Sequence, residues 1–132
     1  MKRTILGSIV GYAVWTVLWL VGGMGLAAIF PSEHDVFTAG GSYDATNPLL
    51  ASLVLSIAAS FLAGASARRV DSKVGSRAAV FAALLLLLTG VGIQASVWNR
   101  MPLWYHVSFL VLIVPITLVG ARPRSAARKT HR

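Results

Sequence analysis

The chain contains no cysteine and few charged residues. Without cysteine there is no disulfide, no thiolate nucleophile and no cysteine ligand for zinc or an iron–sulfur cluster. Asp, Glu, Lys and Arg make up only 12% of the 132 residues, against roughly 25% in an average soluble domain. Hydrophobic residues make up 56%. A small soluble protein needs a polar surface, so this composition excludes a soluble enzyme and a disordered tail. It indicates an integral membrane protein.

Charge is missing from four long stretches of the chain, at 4–32, 45–67, 78–99 and 101–121. Each stretch exceeds the roughly 20 residues that an α-helix needs to cross a hydrocarbon core about 30 Å thick. Hydrocarbon offers no partner to a free backbone N–H or C=O, and nothing alternates with period two, so helices are predicted. The fold class is therefore all-α, an integral membrane four-helix bundle that forms a single domain over residues 1–132.

The predicted helices span about residues 4–30, 48–67, 76–98 and 102–120, followed by a basic tail at 121–132. The first stretch exceeds the h-region of a signal peptide, so it is expected to stay attached. Pro31 ends that helix. Asn47 is predicted as the N-cap of the second helix, with Pro48 at its first position. The run Leu84–Leu88 is interpreted as lipid-facing bulk, and Pro115 is expected to bend the fourth helix.

Basic residues fall almost entirely at one end of the predicted bundle. Of the 12 Lys and Arg residues, only Arg100 lies at the other end. Basic residues in short loops stay in the cytoplasm, so both termini are predicted to be cytoplasmic and the loop 32–47 to lie outside. Glu33, Asp35 and Asp44 all belong to that outer loop. Topology also explains the net charge of +8 without a nucleic-acid partner, and the basic tail is expected to attract anionic lipid.

No ionisable residue falls near the middle of a predicted helix, where a proton-coupled transporter carries one. The deepest polar side chains are hydroxyls, which can bond to their own helix backbone. These are Thr16, Ser56, Ser60 and Thr89. The sequence therefore predicts no catalytic, cofactor-binding or metal-binding residue.

The predicted outer face carries more chemistry. Carboxylates and imidazoles there could in principle hold a divalent metal, namely Glu33, His34, Asp35, Asp44 and His106. Neighbours in an extended loop do not point at one centre, so a solvated acidic loop and an interfacial His106 are favoured. A second hypothesis is a pocket formed by Glu33, Asp35, Arg100 and His106, in which Arg100 pairs with an acid.

The segment 98–106 combines an arginine, a histidine and three aromatic residues in a short hairpin. Trp and Tyr prefer the headgroup layer, so an aromatic belt is the simplest interpretation. Small residues indicate close helix packing at Gly7 and Gly11, and at a ladder of Ser52, Ser56, Ser60 and Gly64. Such faces pack either inside the bundle or between copies in a homo-oligomer.

The chain resembles small four-helix membrane proteins of bacteria, for which no activity is established. The similar features are the Gly7–Gly11 segment with Tyr12, Trp15 and Trp19, and the hairpin from Trp98 through Met101, Pro102, Leu103, Trp104, Tyr105 and His106. The resemblance implies a bacterial plasma membrane. The leading hypothesis is a non-enzymatic structural or accessory subunit with lipid, and a homo-oligomeric copy or another membrane protein, as partners. The alternative is a transporter or channel component formed on oligomerisation, and an outer-face enzyme is the least favoured.

Overall fold

The computed structural model describes residues 1–43, 45–72 and 77–123. All regular structure in these ranges is helical. The helices are α1 (Lys2–Ile29), α2 (Pro31–Thr38), α3 (Thr46–Val70), α4 (Arg77–Ser96) and α5 (Leu103–Gly120), with a 3-10 turn at Trp98–Arg100. The all-α prediction is confirmed. Four helices, α1, α3, α4 and α5, are long and apolar enough to cross a membrane.

The outer connection differs from its prediction. It was expected to be an extended loop, but Pro31 starts α2 directly after α1 ends at Ile29. Proline serves both purposes, because its fixed φ suits the first turn of a helix while its ring blocks continuation of the preceding one. The N-cap prediction at Asn47 is wrong, since α3 begins at Thr46 with Ala45 as its cap residue.

Several sequence predictions fall on residues outside the described ranges. These are the predicted helix start at Ser76, the outer acid Asp44, and the basic residues Lys73, Arg124, Arg128, Lys129 and Arg132.

The four long helices form an up-down bundle. Helices α1 and α5 each pack against both α3 and α4, and α3 also contacts α4 across the centre. A Cβ built on Gly7 near the start of α1 would meet Ala67 near the end of α3 and Ala78 near the start of α4. Arg68 in the last turn of α3 donates to the carbonyl of Ala121, just beyond α5. These contacts place the basic flanks of all four helices at one end of the bundle, hereafter the inner end. The opposite end, which carries α2 and the turn at Trp98–Arg100, is named the outer end.

The interior combines large residues such as Trp15, Leu86 and Phe109 with many alanines, and further large apolar side chains face outward. The buried alanines on α3 and α4 are Ala59, Ala63, Ala67, Ala78, Ala79, Ala82 and Ala83. By contrast, Met24 is 75% exposed, Leu88 70% and Val54 66%. The lipid-facing interpretation of Leu84–Leu88 is wrong for Leu86, which is fully buried, because one turn of a helix necessarily brings part of any five-residue run to the inner face.

Four glycines let helix backbones approach each other closely. A Cβ on Gly64 would clash with the backbone carbonyl of Thr117 on α5, and a Cβ on Gly120 would clash with that of Phe61 on α3. Gly7 and Gly11 lie in the same way against the carbonyls of Ala67 and Ala63, at 2.8 and 2.9 Å from an ideal Cβ. These small residues therefore pack inside the bundle, as one of the two sequence hypotheses expected.

Candidate functional site

Arg100 connects the two outer segments of the bundle. Its guanidinium lies over the ring of Phe37, 3.9 Å from the centroid, and donates to the carbonyls of Phe37 and, at 3.3 Å, Gly41. The backbone carbonyl of Arg100 accepts a hydrogen bond of 2.6 Å from the N–H of Tyr43. We call these four residues, Phe37, Gly41, Tyr43 and Arg100, the outer clasp. It fastens the segment between α1 and α3 to the hairpin between α4 and α5.

The partners of Arg100 differ from the carboxylates that the sequence suggested. Phe37 lies in the last turn of α2, where the backbone carbonyls carry the partial negative charge of the helix dipole, and its carbonyl also accepts from the N–H of Gly40 at 3.0 Å. A guanidinium satisfies such carbonyls with several donors at once. The hydrogen bonds of Arg100 in the described chain thus go to backbone oxygens, and the expected pairing with Glu33 or Asp35 is not what holds it.

His106 lies inside the bundle, completely buried in the first turn of α5. Its Nδ1 is hydrogen-bonded to the side-chain amide of Gln94 on α4, and its Nε2 to the backbone carbonyl of Trp98 at 3.0 Å. The imidazole also stacks on the indole of Trp98, with ring centroids 4.5 Å apart and planes 14° from parallel. The interpretation of His106 as an interfacial residue is therefore wrong.

Hydrogen-bond chemistry fixes the roles at one nitrogen of this imidazole. A backbone carbonyl only accepts, so Nε2 carries the proton that is donated to Trp98. At Nδ1 the ring is paired with the side-chain amide of Gln94, whose Oε1 is the bonded atom. Both ring nitrogens of His106 are consequently occupied, which leaves none for a substrate or a metal.

A crevice of about 170 Å³ lies beside the outer clasp, between α1, α3 and α5. Four aromatic side chains contribute to its wall, those of Trp19, Phe37, Tyr43 and Tyr105. Ser52 also lines it, but the Ser52 hydroxyl donates to the carbonyl of Pro48 at 2.9 Å. Sites for drug-sized ligands measure roughly 300–1,000 Å³, so this crevice is small for a metabolite.

Tyr43 and Glu33 face each other at the outer surface, where both line a shallow pocket together with Ser32 and Ser42. Burial, and after it the negative charge of Glu33, raises the pKa of the Tyr43 phenol above its ordinary value. Both causes penalise the phenolate. The phenol is therefore a poorer proton donor than a free tyrosine, which is unfavourable for general acid–base work at neutral pH.

The proposed outer pocket does not assemble as the sequence hypothesis pictured it. Arg100 reaches the outer segment, but His106 is separated from that segment by its burial against Gln94 and Trp98. His34 and Asp35 are exposed on α2. Within the described ranges, no three carboxylate, imidazole or thiol side chains converge on a point that could hold a metal ion.

Polar side chains at the inner end are also engaged in packing. Asp71 is buried, and its carboxylate accepts a hydrogen bond of 3.1 Å from the Thr4 hydroxyl. Ser8 donates to the carbonyls of Thr4 at 2.7 Å and of Ala78 at 3.2 Å. These bonds tie the start of α1 to the helices beside it.

The hydroxyls that the sequence placed deepest behave differently from one another. Thr16 donates to the carbonyl of Tyr12 in its own helix at 2.9 Å, as expected. Thr89 instead shares a 3.0 Å hydrogen bond with the Tyr12 phenol on α1. The Ser60 hydroxyl and the Trp15 indole N–H are buried without a hydrogen-bond partner in the part of the chain that the structure describes.

Two structural residues, Gln94 and Asp71, were missed by the sequence argument. A signal for Gln94 existed, because it is the one glutamine in the chain and lies inside a stretch without charge. Its separation of 12 residues from His106, across a short turn, is what brings the two side chains together. Asp71 was overlooked because it lies among basic residues, which were considered only for the orientation of the helices.

The fold and this site together define an all-helical chain with four helices able to cross a membrane, closed at its outer end by arginine and histidine hydrogen bonds. Comparisons with protein-family models, with curated proteins and with solved structures find no match.

Proposed function

We propose that the chain is a multi-pass protein of the bacterial plasma membrane, with both termini in the cytoplasm, and that it acts as a non-enzymatic structural or accessory subunit. The observation that carries the membrane location is the set of four long apolar helices with many large apolar side chains exposed on their outer surface. Buried alanine and glycine let the helices approach, while large exposed residues such as Met24 and Leu88 cover the outside. Water would not tolerate such a surface, whereas lipid tails match it.

Charge supports the proposed orientation. In the described ranges the inner end carries Lys2, Arg3, Arg68, Arg69, Arg77 and Arg122, and the outer end carries Arg100. The positive-inside rule assigns the basic end to the cytoplasm. The bacterial plasma membrane itself is supported by the resemblance of the sequence to small four-helix bacterial proteins.

We assign no catalytic role because the polar side chains at the outer end already make hydrogen bonds within the chain. Both nitrogens of His106 and two donors of the Arg100 guanidinium hold segments of the chain together. A general base or an electrophile needs a face turned toward a substrate. The hydrogen bonds at the outer end therefore have a structural role, which is consistent with a protein that packs against a partner.

Purification in a mild detergent, followed by identification of co-purifying proteins, tests this proposal. A stoichiometric membrane-protein partner is expected, and it should survive the change Glu33→Gln, which leaves the outer clasp intact. A homogeneous oligomer of this chain alone that conducts ions or solutes would instead favour the transporter or channel alternative. Recovery of the protein in the soluble fraction would contradict the membrane location.

A further inference from the structure

Three arginines line one pocket at the inner end. The pocket has a volume of about 280 Å³ and lies between the C-terminal ends of α3 and α5. We call it the arginine pocket, and its lining is Ala65, Arg68, Arg69, Ser72, Gly120 and Arg122. Arg68 is held in place by its 3.0 Å hydrogen bond to the carbonyl of Ala121. A guanidinium has further N–H donors beyond that one, so Arg68 can serve the pocket while it remains anchored.

The positive charge of this pocket is only partly compensated by the chain. The nearby acid, Asp71, is buried, bonded to Thr4, and does not line the pocket. The C-terminal ends of two helices contribute about half a negative charge each. Three arginines set against Asp71 and these two helix ends leave roughly one positive charge uncompensated among the described residues, which a negatively charged ligand would neutralise.

An apolar surface adjoins the arginine pocket. A second pocket of about 250 Å³ shares Arg68 and Arg122 with it and is otherwise lined by Ala79, Val80, Leu118, Ala121 and Pro123. Val80 and Leu118 are both exposed. A charged cradle beside an outward apolar groove matches a molecule with an anionic head and a hydrocarbon tail. A free phosphate ion has no hydrocarbon part that could bind in the groove.

We propose that the arginine pocket binds the headgroup of an anionic phospholipid, with an acyl chain lying along the groove at Val80 and Leu118. Arginine binds phosphate oxygens in pairs, which a lysine ammonium cannot do. Basic pockets between helices on the cytoplasmic side are suited to such headgroups. The inference rests on the proposed membrane location and names the lipid class and the residues that select it.

Native mass spectrometry of the full chain, released from nanodiscs, tests the proposal. The discs contain either phosphatidylglycerol or phosphatidylcholine, whose headgroup has no net charge. Retained phosphatidylglycerol and no retained phosphatidylcholine are expected. Arg69→Gln and Arg122→Gln should each weaken phosphatidylglycerol retention about fivefold. Arg122→Lys, which preserves charge and removes the paired donors, should lose part of the affinity, and it serves if Arg122→Gln fails to fold.

The matched control is Arg3→Gln, which removes one charge from the same end of the bundle but outside the pocket. Equal losses in Arg3→Gln and Arg122→Gln would overturn the proposal, because general surface attraction would then account for the binding. Equal retention of both lipids would also overturn it.

Inorganic phosphate distinguishes the two sources of the anion. In detergent, phosphatidylglycerol should raise the unfolding temperature while millimolar inorganic phosphate leaves it unchanged, and an equal rise with phosphate would contradict a lipid site. Failure of the proposed function can be distinguished from failure of the lipid-binding proposal. Nanodiscs carry the lipid in both leaflets, so an inverted topology would contradict the orientation and leave this binding measurement valid.

Discussion

Arg100 contacts Phe37 in two ways. Its guanidinium lies 3.9 Å from the centre of the aromatic ring, and it donates a hydrogen bond to the backbone carbonyl of the same residue. The two residues are 63 positions apart and belong to the two connections at the outer end. Without this contact α2 would be attached to the bundle mainly through its chain ends. The outer clasp thus explains how a short, exposed helix keeps a fixed place beside the long ones.

Replacing Arg100 should release the outer connection without unfolding the bundle. In Arg100→Ala, hydrogen exchange of the amides in residues 31–43 should accelerate, while α3 and α4 keep their protection. Hydrogen bonds from a charged donor contribute about 1.5–3 kcal/mol, and a cation–π contact about 0.5–2 kcal/mol, so at this half-exposed site exchange should accelerate by about tenfold or more.

Glu33→Gln is the matched control for the outer clasp. If carbonyl and aromatic contacts hold Arg100, removal of this carboxylate should leave exchange in residues 31–43 unchanged. An acceleration equal to that of Arg100→Ala would restore the acidic-pocket hypothesis. No acceleration in either variant would show that Arg100 contributes nothing to the attachment of α2.

The buried pair of Gln94 and His106 should behave as one unit. Gln94→Leu leaves Nδ1 of His106 buried without a partner and should cost about 1–3 kcal/mol of stability. In the double variant Gln94→Leu with His106→Leu, the loss should be smaller than the sum of the single losses, since the orphaned ring is removed as well. Thermal unfolding in detergent measures all three. Additive losses would mean that the two side chains do not depend on each other.

Ser96→Ala provides a comparison for that cycle. Ser96 is exposed in the same turn region of α4, and its hydroxyl bonds only to the carbonyl of Ile93 in its own helix, at 2.6 Å. Its removal should leave the unfolding temperature unchanged. A large effect there would indicate general sensitivity of the end of α4.

Periodic and compositional features of the sequence were sufficient for the four long helices. Charge-free stretches give spans directly, because hydrocarbon forces every backbone group in them to be paired within a helix. Proline at residue 31 correctly marked the end of α1. The sequence did not reveal that the same residue starts α2, since eight residues with three ionisable side chains carry no apolar pattern of their own.

The candidate site was harder to predict because its partners are backbone atoms. Carbonyls such as those of Phe37, Gly41 and Trp98 occur at every position, so no residue pattern marks the ones that Arg100 and His106 will meet. From the sequence, the carboxylates of Glu33 and Asp35 were therefore the partners expected for Arg100. The orientation of Leu86 was missed for a related reason, because five identical residues give no indication of which one faces inward.

Glycines at close backbone contacts should be far more sensitive than glycines that face open space. Gly64→Ala should lose about 1–3 kcal/mol of stability, because its Cβ would meet the carbonyl of Thr117 and push α3 away from α5. Gly92→Ala is the matched control, since nothing lies within 4 Å of the Cβ position there. It should be neutral or stabilising by up to about 1 kcal/mol. Equal losses in the two variants would mean that the close contact at Gly64 does not contribute to stability.

Leucine truncation on α4 separates the interior from the lipid-facing side. Leu86→Ala should cost about 2–5 kcal/mol, as expected for a cavity in a packed core, since Leu86 is fully buried. Leu88→Ala, at a residue that is 70% exposed, should change the unfolding temperature in detergent little. The reverse order would mean that α4 is rotated about its axis relative to the structure.

Reporter fusions should place the two ends of the bundle in different compartments. Gly40 is a suitable outer insertion point, because it is exposed and has open space around it. Ser72, exposed beyond α3, is the inner counterpart. A reporter active only outside the cytoplasm should work at Gly40 and fail at Ser72 and at the C-terminus. The orientation should persist in a variant with Lys2→Gln and Arg3→Gln, because the remaining inner basic residues still outnumber Arg100. Matching signals at Gly40 and Ser72 would mean that α3 does not cross the membrane.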